Sequence, residues 1–396
     1  MKPVFLTLFS LCILPTVFAQ TTTNKPNSSY QFEKIAELDK TNVKDQCKTA
    51  TCWSYSTLSL LESELIKNGK GQIDLSEMFI ARNAYIEKAI NYIRLNGKHQ
   101  FDQGGEGHDI LYMIDKYGIV PESVYSGLIN NKKRHDHTEL VLVLKSFLDG
   151  LLKVPNAEYG NEWKTAFEGI LDSYLGKIPT EFNYNGKMYN PKTFAASLEI
   201  NTDDYIVLTS FTHHPFYKKP FAIEVPDNWA MQTAYNIPLN ELSETVNGAL
   251  KEGFTVAWAT DVSEKGFSHR DGLAIVPIHD SLITKKGEDS KQFNSAGAEK
   301  ISTVFNTPCQ ELIITQDLRQ AAFDSQKTTD DHGMHITGLY QEKSGTYYYK
   351  VKNSWGTTNS LEGYLFASNS YFQYKTISVM LNKKAIPQKI SKKLYK

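Results

Sequence analysis

Two strand-like runs near the carboxyl end, HGMHITGLY at 332–340 and TYYYKVKNSW at 346–355, are separated only by QEKSG. β-Branched and aromatic residues dominate both, and a glycine-bearing loop of a few residues joins neighbouring antiparallel strands and little else. The last third of the chain must therefore hold a β-sheet, to which GYLFAS at 363–368 and TISVMLN at 376–382 add further strands. Upstream the period changes. Leu58, Leu61 and Leu65 recur at helical spacing and stop at Asn68-Gly69. DLSEMF at 74–79 starts a second helix reaching about Arg94, with Asp74 as its expected cap and Glu77 three residues on. Ile110, Met113, Ile114 and Tyr117 mark a third helix, closed by Gly118. ELVLVLKSFLDGLLKV, NEWKTAFEGILDSYLG and LNELSETVNGALKEG follow as helices, and FTVAWATDV at 254–262 reads as a buried strand. Helices first and strands later, with no internal repeat, predict an α+β fold.

The formal net charge of −1 over 396 residues gives no general attraction to nucleic acid or to an anionic membrane. Lys2 precedes a nearly unbroken apolar run from Val4 to Leu14. Residues 1–19 are expected to be a secretory signal peptide cut near Ala19, so the mature protein is secreted or periplasmic without a stable membrane anchor. Cleavage removes Cys12 and leaves Cys47, Cys52 and Cys309, an odd number that requires at least one free thiol. A Cys47–Cys309 bridge stays open as a reading. Residues 20–34 are polar and expected to form a flexible linker, and the basic tail at 387–396 is expected to present a solvated lysine face.

Cys52 stands where the first helical pattern begins, and a thiol at a helix N-terminus beside a histidine is a usable nucleophile. Gln46, six residues upstream, carries a side-chain amide that could join the Cys52 N–H in holding an oxyanion. The hairpin begins with Asp331-His332 and ends with Asn353-Ser354-Trp355-Gly356, which sets His332 opposite Asn353 to within about one pair step. An asparagine oxygen can fix the tautomer of the imidazole, and Trp355 can keep water from that bond. His335 falls on the opposite strand face and is given a structural role. A redox pair is disfavoured because Cys47 and Cys52 are not spaced C-x-x-C. His213-His214 and His135-Asp136-His137 lack further ligands at metal-site spacing, so no metal and no cofactor is expected.

Taken together, Gln46, Cys52-Trp53, Asp331-His332 and Asn353-Ser354-Trp355-Gly356 resemble, in order and context, the motifs of papain-like cysteine peptidases. Gly104-Gly105 resembles that family's substrate-binding turn, where glycine lets a second backbone come close. The long insert at about 128–238, DKYGIVPES after the glycine turn and HGM at the histidine resemble the bleomycin hydrolase and aminopeptidase C branch. The resemblance covers about 35–386. It implies a helical half carrying the nucleophile, packed on a β half carrying His332 and Asn353. It also implies thiol acyl transfer on peptide substrates, with Cys52, His332, Asn353 and Gln46 catalytic and Gly104, Gly105 and Trp355 around the substrate. The branch forms a homo-hexamer, in which a C-terminal arm places its carboxylate at the substrate's free amine to give aminopeptidase action. Here the tail stops where that arm would continue, so an endopeptidase with an open cleft is the alternative expectation. A non-catalytic papain-like binding protein is the other.

Overall fold

The computed structural model describes residues 21–156, 158–288 and 297–395; the expected signal peptide lies outside them. Helix α1 (Cys52–Lys67) is the spine, with every side chain from Cys52 to Leu65 buried. α2 (Glu77–Arg94) and α3 (Gly107–Tyr117) pack against it on one side and the sheet on the other. The cap of α2 is Ser76 rather than Asp74: Ser76 Oγ accepts from Phe79 N. Asp74 lies just outside the helix and pairs with Lys44 instead. Gly118 ends α3 at φ 81°, where its missing Cβ avoids the Pro191 carbonyl.

The sheet has twelve strands among the described residues. Its centre runs β3 (Thr233–Asn236), β2 (Tyr205–Thr209), β8 (Thr376–Asn382), β4 (Val256–Thr260), β5 (His332–Glu342), β6 (Tyr347–Lys352) and β7 (Tyr364–Ser368). β5 and β6 form the expected hairpin, with Leu339 opposite Tyr349 and a register shift between Ile336 and Gly338. The eleven residues of β5 reach three strands: β4 at its start, β6 along its length, and β1 (Phe32–Glu37) at its end. The helices α1–α3 and the insert cover one face. α7 (Leu239–Lys251) packs on the other, where Trp258, Met334 and Val379 share a second core with Leu242 and Val246.

Three expectations change. The expected linker at 20–34 is not loose over residues 21–34: Asn24 is buried and donates to the Asp271 and Phe305 carbonyls, and Tyr30 and Phe32 stack in an aromatic cluster with Tyr348 and Phe366. The insert at 128–238 contains the expected α4 (Thr138–Leu151) and α5 (Glu162–Leu175), followed by α6 (Pro191–Leu198), yet it also supplies β2 to the central sheet through pairing with β8. The tail at 387–396 is no uniform lysine face. Gln388–Leu394 is a helix that buries Ile390 and Leu394 in the core against α7, while Lys393 pairs with Glu241 at 2.7 Å. Among the described residues no helix is long and apolar enough to cross a membrane.

Candidate active site

Cys52 is the first residue of α1, and Thr51 before it makes no side-chain cap. The Thr51 hydroxyl is held by Thr49 instead, at 2.7 Å. Ser54 N donates to the Thr51 carbonyl and the Trp53 N–H favours the Cys52 sulfur, which leaves the Cys52 N–H of this turn to whatever enters the site. Gln103 ties this turn to the glycine turn, because its Oε1 accepts from Ala50 N and its carbonyl accepts from Trp53 Nε1. β5 descends onto the same helix end at Gly333. A Cβ there would stand 2.8 Å from Ser56 Oγ and 3.2 Å from the Trp53 backbone, so only glycine permits the approach. In return the Gly333 N–H reaches the Cys52 sulfur.

His332 Nε2 lies 2.7 Å from Asn353 Oδ1. An amide oxygen only accepts, so Nε2 carries the proton and Nδ1 is the free base. Nδ1 has no hydrogen-bond partner among the described residues, and His332 and Cys52 line one cleft. The amide is fixed in turn: Ser354 N donates to Asn353 Oδ1, and Asn353 Nδ2 donates to His269 Nδ1 at 3.2 Å. Trp355 covers the imidazole with ring centres 4.6 Å apart. It therefore screens the His332–Asn353 bond and does not line the cleft. The strand register alone would set His332 two residues beyond Asn353, since His335 pairs with Lys352; the turn at 353–354 brings the side chain back.

Burial pushes the Cys52 thiol up to about 12, opposed by the Gly333 and Trp53 N–H groups and assisted by the charges of Asp227 and Asp330. Burial also pushes His332 down to about 4 against the Asn353 hydrogen bond. The substrate-free pair accordingly rests as thiol and neutral imidazole. His335, three residues along, is bound to Ser59 Oγ at 2.9 Å and held in a buried network with Lys352 and Glu62, away from this cleft.

Gln46 is fully buried. Its Nε2 donates to the Thr49 carbonyl at 2.7 Å and its Oε1 accepts from Ser354 Oγ at 2.5 Å, which joins the nucleophile turn to the asparagine turn. One N–H of the amide is used in this way and a second remains. The two glycines differ. Gly105 lines the cleft against the Trp53 ring, whereas Gly104 lies under the Asp227 carboxyl and gives its carbonyl to Lys88. All three described cysteines are free thiols, so Cys47 and Cys309 are not bridged. His213, His214 and Glu224 do cluster. Gln320 Nε2, however, donates to His213 Nδ1, which leaves the proton on Nε2 for Glu224. Sequence reasoning missed His269, which has no local signal, and Glu106 and Asp330, which do: they adjoin the Gly104-Gly105 and His332 motifs in GGEG and DDH.

Known proteins resemble this chain along nearly its whole length. A family model described as the Peptidase C1-like family matches residues 290–396. Aminopeptidase C of Lactobacillus delbrueckii subsp. lactis is 24% identical over 94% of this chain and 86% of its own. Bleomycin hydrolase of Mus musculus is 20% identical over 92% and 85%. The crystal structure of PepW from Lactobacillus rhamnosis HN001 superposes with a TM-score of 0.66 at 21% identity, covering 91% of this chain and 84% of that one.

Proposed function

We propose that this chain, a papain-like cysteine peptidase related to the aminopeptidases C and bleomycin hydrolases, removes residues from the free amino end of peptides. In this reading Cys52 is the nucleophile, His332 the base and acid, Asn353 the residue that orients His332, and Gln46 an oxyanion donor. The observation that carries it is the bare Nδ1 of His332, fixed from behind by Asn353 in the cleft that also holds Cys52 at a helix N-terminus.

His332 Nδ1 takes the Sγ proton as the thiolate attacks the carbonyl carbon. The negative oxygen of the tetrahedral intermediate is held by the Cys52 N–H and the second N–H of Gln46. Collapse breaks the C–N bond, and the imidazolium gives its proton to the departing amine. Water, deprotonated by His332, then releases the acyl group from sulfur. Gly105, beside Trp53, leaves a flat edge for the substrate backbone.

Secretion after cleavage near Ala19 is part of the proposal and rests on the apolar run from Val4 to Leu14. So is the hexamer, which sizing of the mature protein tests. For the reaction, an aminoacyl reporter with a free amine is compared with the same reporter N-acetylated, using Cys52→Ala as control. Thiol-dependent turnover favouring the free amine is expected. Turnover of the blocked substrate alone would leave the thiol mechanism and remove the aminopeptidase reading; no thiol-dependent turnover of either would remove both.

A further inference from the structure

Nothing after Met380 lines the cleft among the described residues, because Gln388–Leu394 is held on α7. Yet the cleft carries an excess of negative groups. Glu106, Asp227 and Asp330 line it together with Cys52. Glu106 is only 3% exposed; its Oε2 accepts from the Ser378 hydroxyl at 3.5 Å, and among the described residues no donor reaches its Oε1. Among the same residues Asp330 Oδ2 is likewise without a donor, and the two carboxyls are close enough to interact with one another. Two buried carboxyls set against each other are stable only with a shared proton or a shared cation.

The other carboxyls nearby are engaged or lie outside the cleft lining. Asp331 takes the Val262 and Ser263 N–H groups and the Thr329 hydroxyl. Asp109 Oδ2 takes the Glu106 N–H, and its Oδ1, without a partner among the described residues, does not line the cleft. Lys88, a buried cation whose charge acts on Asp227 and Asp109, spends hydrogen bonds on the Asp102 and Gly104 carbonyls. The free capacity therefore gathers at Glu106 and Asp330, with Asp227 at the edge over Gly104.

We propose that Glu106 and Asp330, with Asp227 beside them, form the subsite for the substrate's α-ammonium group, so that the cleft itself supplies the negative charge that selects a free amino end. An ammonium offers three donors and a full positive charge, which matches three converging carboxyls. The placement also fits. The α-nitrogen of an aminoacyl substrate is two bonds from the attacked carbonyl carbon, and Asp227 and Asp330 line the same cleft as Cys52, where their charges act on its thiol. Seating an ammonium there would cancel that charge and ease formation of the thiolate. The inference rests on the aminopeptidase reading and gives that reading its recognition element.

The test uses the mature chain, Glu106→Gln and Asp330→Asn, with four substrates: a leucyl reporter with a free amine, its N-acetyl form, and two N-acetyl dipeptide reporters with Lys or Leu before the scissile residue. Each variant should lose roughly 10- to 100-fold in kcat/KM on the free-amine substrate, mostly through KM, and this loss should exceed that on the N-acetyl substrate at least about tenfold. Equal losses on both substrates, or none on either, would overturn the subsite. Selective loss on the Lys dipeptide with the free-amine rate unchanged would assign the carboxyls to a side-chain cation and also overturn it. The wild-type comparison judges the aminopeptidase reading separately: a protein that favours the free amine while both variants keep that preference retains the reading and loses this inference, whereas a wild type that ignores the free amine loses both. If Glu106→Gln does not fold, the partly buried Asp330 decides, with titration of Cys52 by iodoacetamide confirming an intact site.

Discussion

His332 Nε2 and Asn353 Oδ1 stand 2.7 Å apart, and that one contact decides which nitrogen of the imidazole can act on Cys52. With Asn353→Ala the ring loses its tautomer preference and its orientation. Turnover should fall about 100-fold in kcat, the size of loss a misplaced catalytic group causes. KM should change little, because Trp355 still packs on the ring, while the unfolding midpoint should fall, because the buried His332 Nε2–H and Ser354 N–H lose their acceptor. Steady-state kinetics beside thermal unfolding checks this, and an unchanged kcat would remove Asn353 from the mechanism.

Gln46 is a harder case, since its amide also braces Thr49 and Ser354. Gln46→Ala should cost roughly 100- to 1,000-fold in kcat if the amide holds the oxyanion. Ser354→Ala breaks the brace and leaves the donor. The two variants therefore separate bracing from catalysis: similar kcat losses in both would make Gln46 a structural residue only.

The acidic cleft sets the pH dependence. Burial, with the nearby Asp330 charge, pushes Asp227 up to about 7, and burial with the Asp330 charge holds Glu106 well above the ordinary carboxyl range. Raised values mean that protons leave as the pH climbs through neutrality and that ammonium binding improves over the same interval. A free α-amine then loses its own charge near about 8. kcat/KM on a free-amine substrate should rise through about 7 and fall again above 8. An N-acetyl substrate should lack both limbs, because the Cys52–His332 pair keeps one arrangement of protons between about 4 and about 12. Parallel profiles for the two substrates would contradict this.

What was readable in the sequence was local. Cys52 opening a helix, Gly118 closing one and the 332–355 hairpin each depend on a dozen neighbouring residues, and each stands where its pattern puts it. What escaped depends on partners far along the chain. Asn24 and Tyr30 look like linker residues until Phe305, Asp271 and Tyr348 arrive to bury them. Tyr205–Thr209 is a short apolar run inside a helical insert and becomes a central strand only because β8, about 170 residues later, pairs with it. Glu106 and Asp330 read as ordinary polar residues of two turns. Their meaning comes from being folded against each other beside Cys52.

Gly333 joins fold and function at one atom. Its backbone passes so close to α1 that a Cβ would meet Ser56 Oγ at 2.8 Å and Trp53 Cα and N at 3.2 Å. The serine hydroxyl can rotate away, but the helix backbone at Trp53 cannot. Gly333→Ala should therefore move the strand off the helix end, at a cost of about 1–3 kcal/mol from overpacking. The same shift carries His332 away from Cys52 and withdraws the Gly333 N–H from the sulfur. We expect kcat to fall about 100-fold and the rate of Cys52 alkylation at a fixed pH to drop, since the thiol loses a hydrogen bond that favours its ionised form. Adding Ser56→Gly should recover part of the stability and little of the turnover, because the Trp53 contact remains. Full recovery of turnover would show that the close approach at Trp53 has no part in aligning the pair.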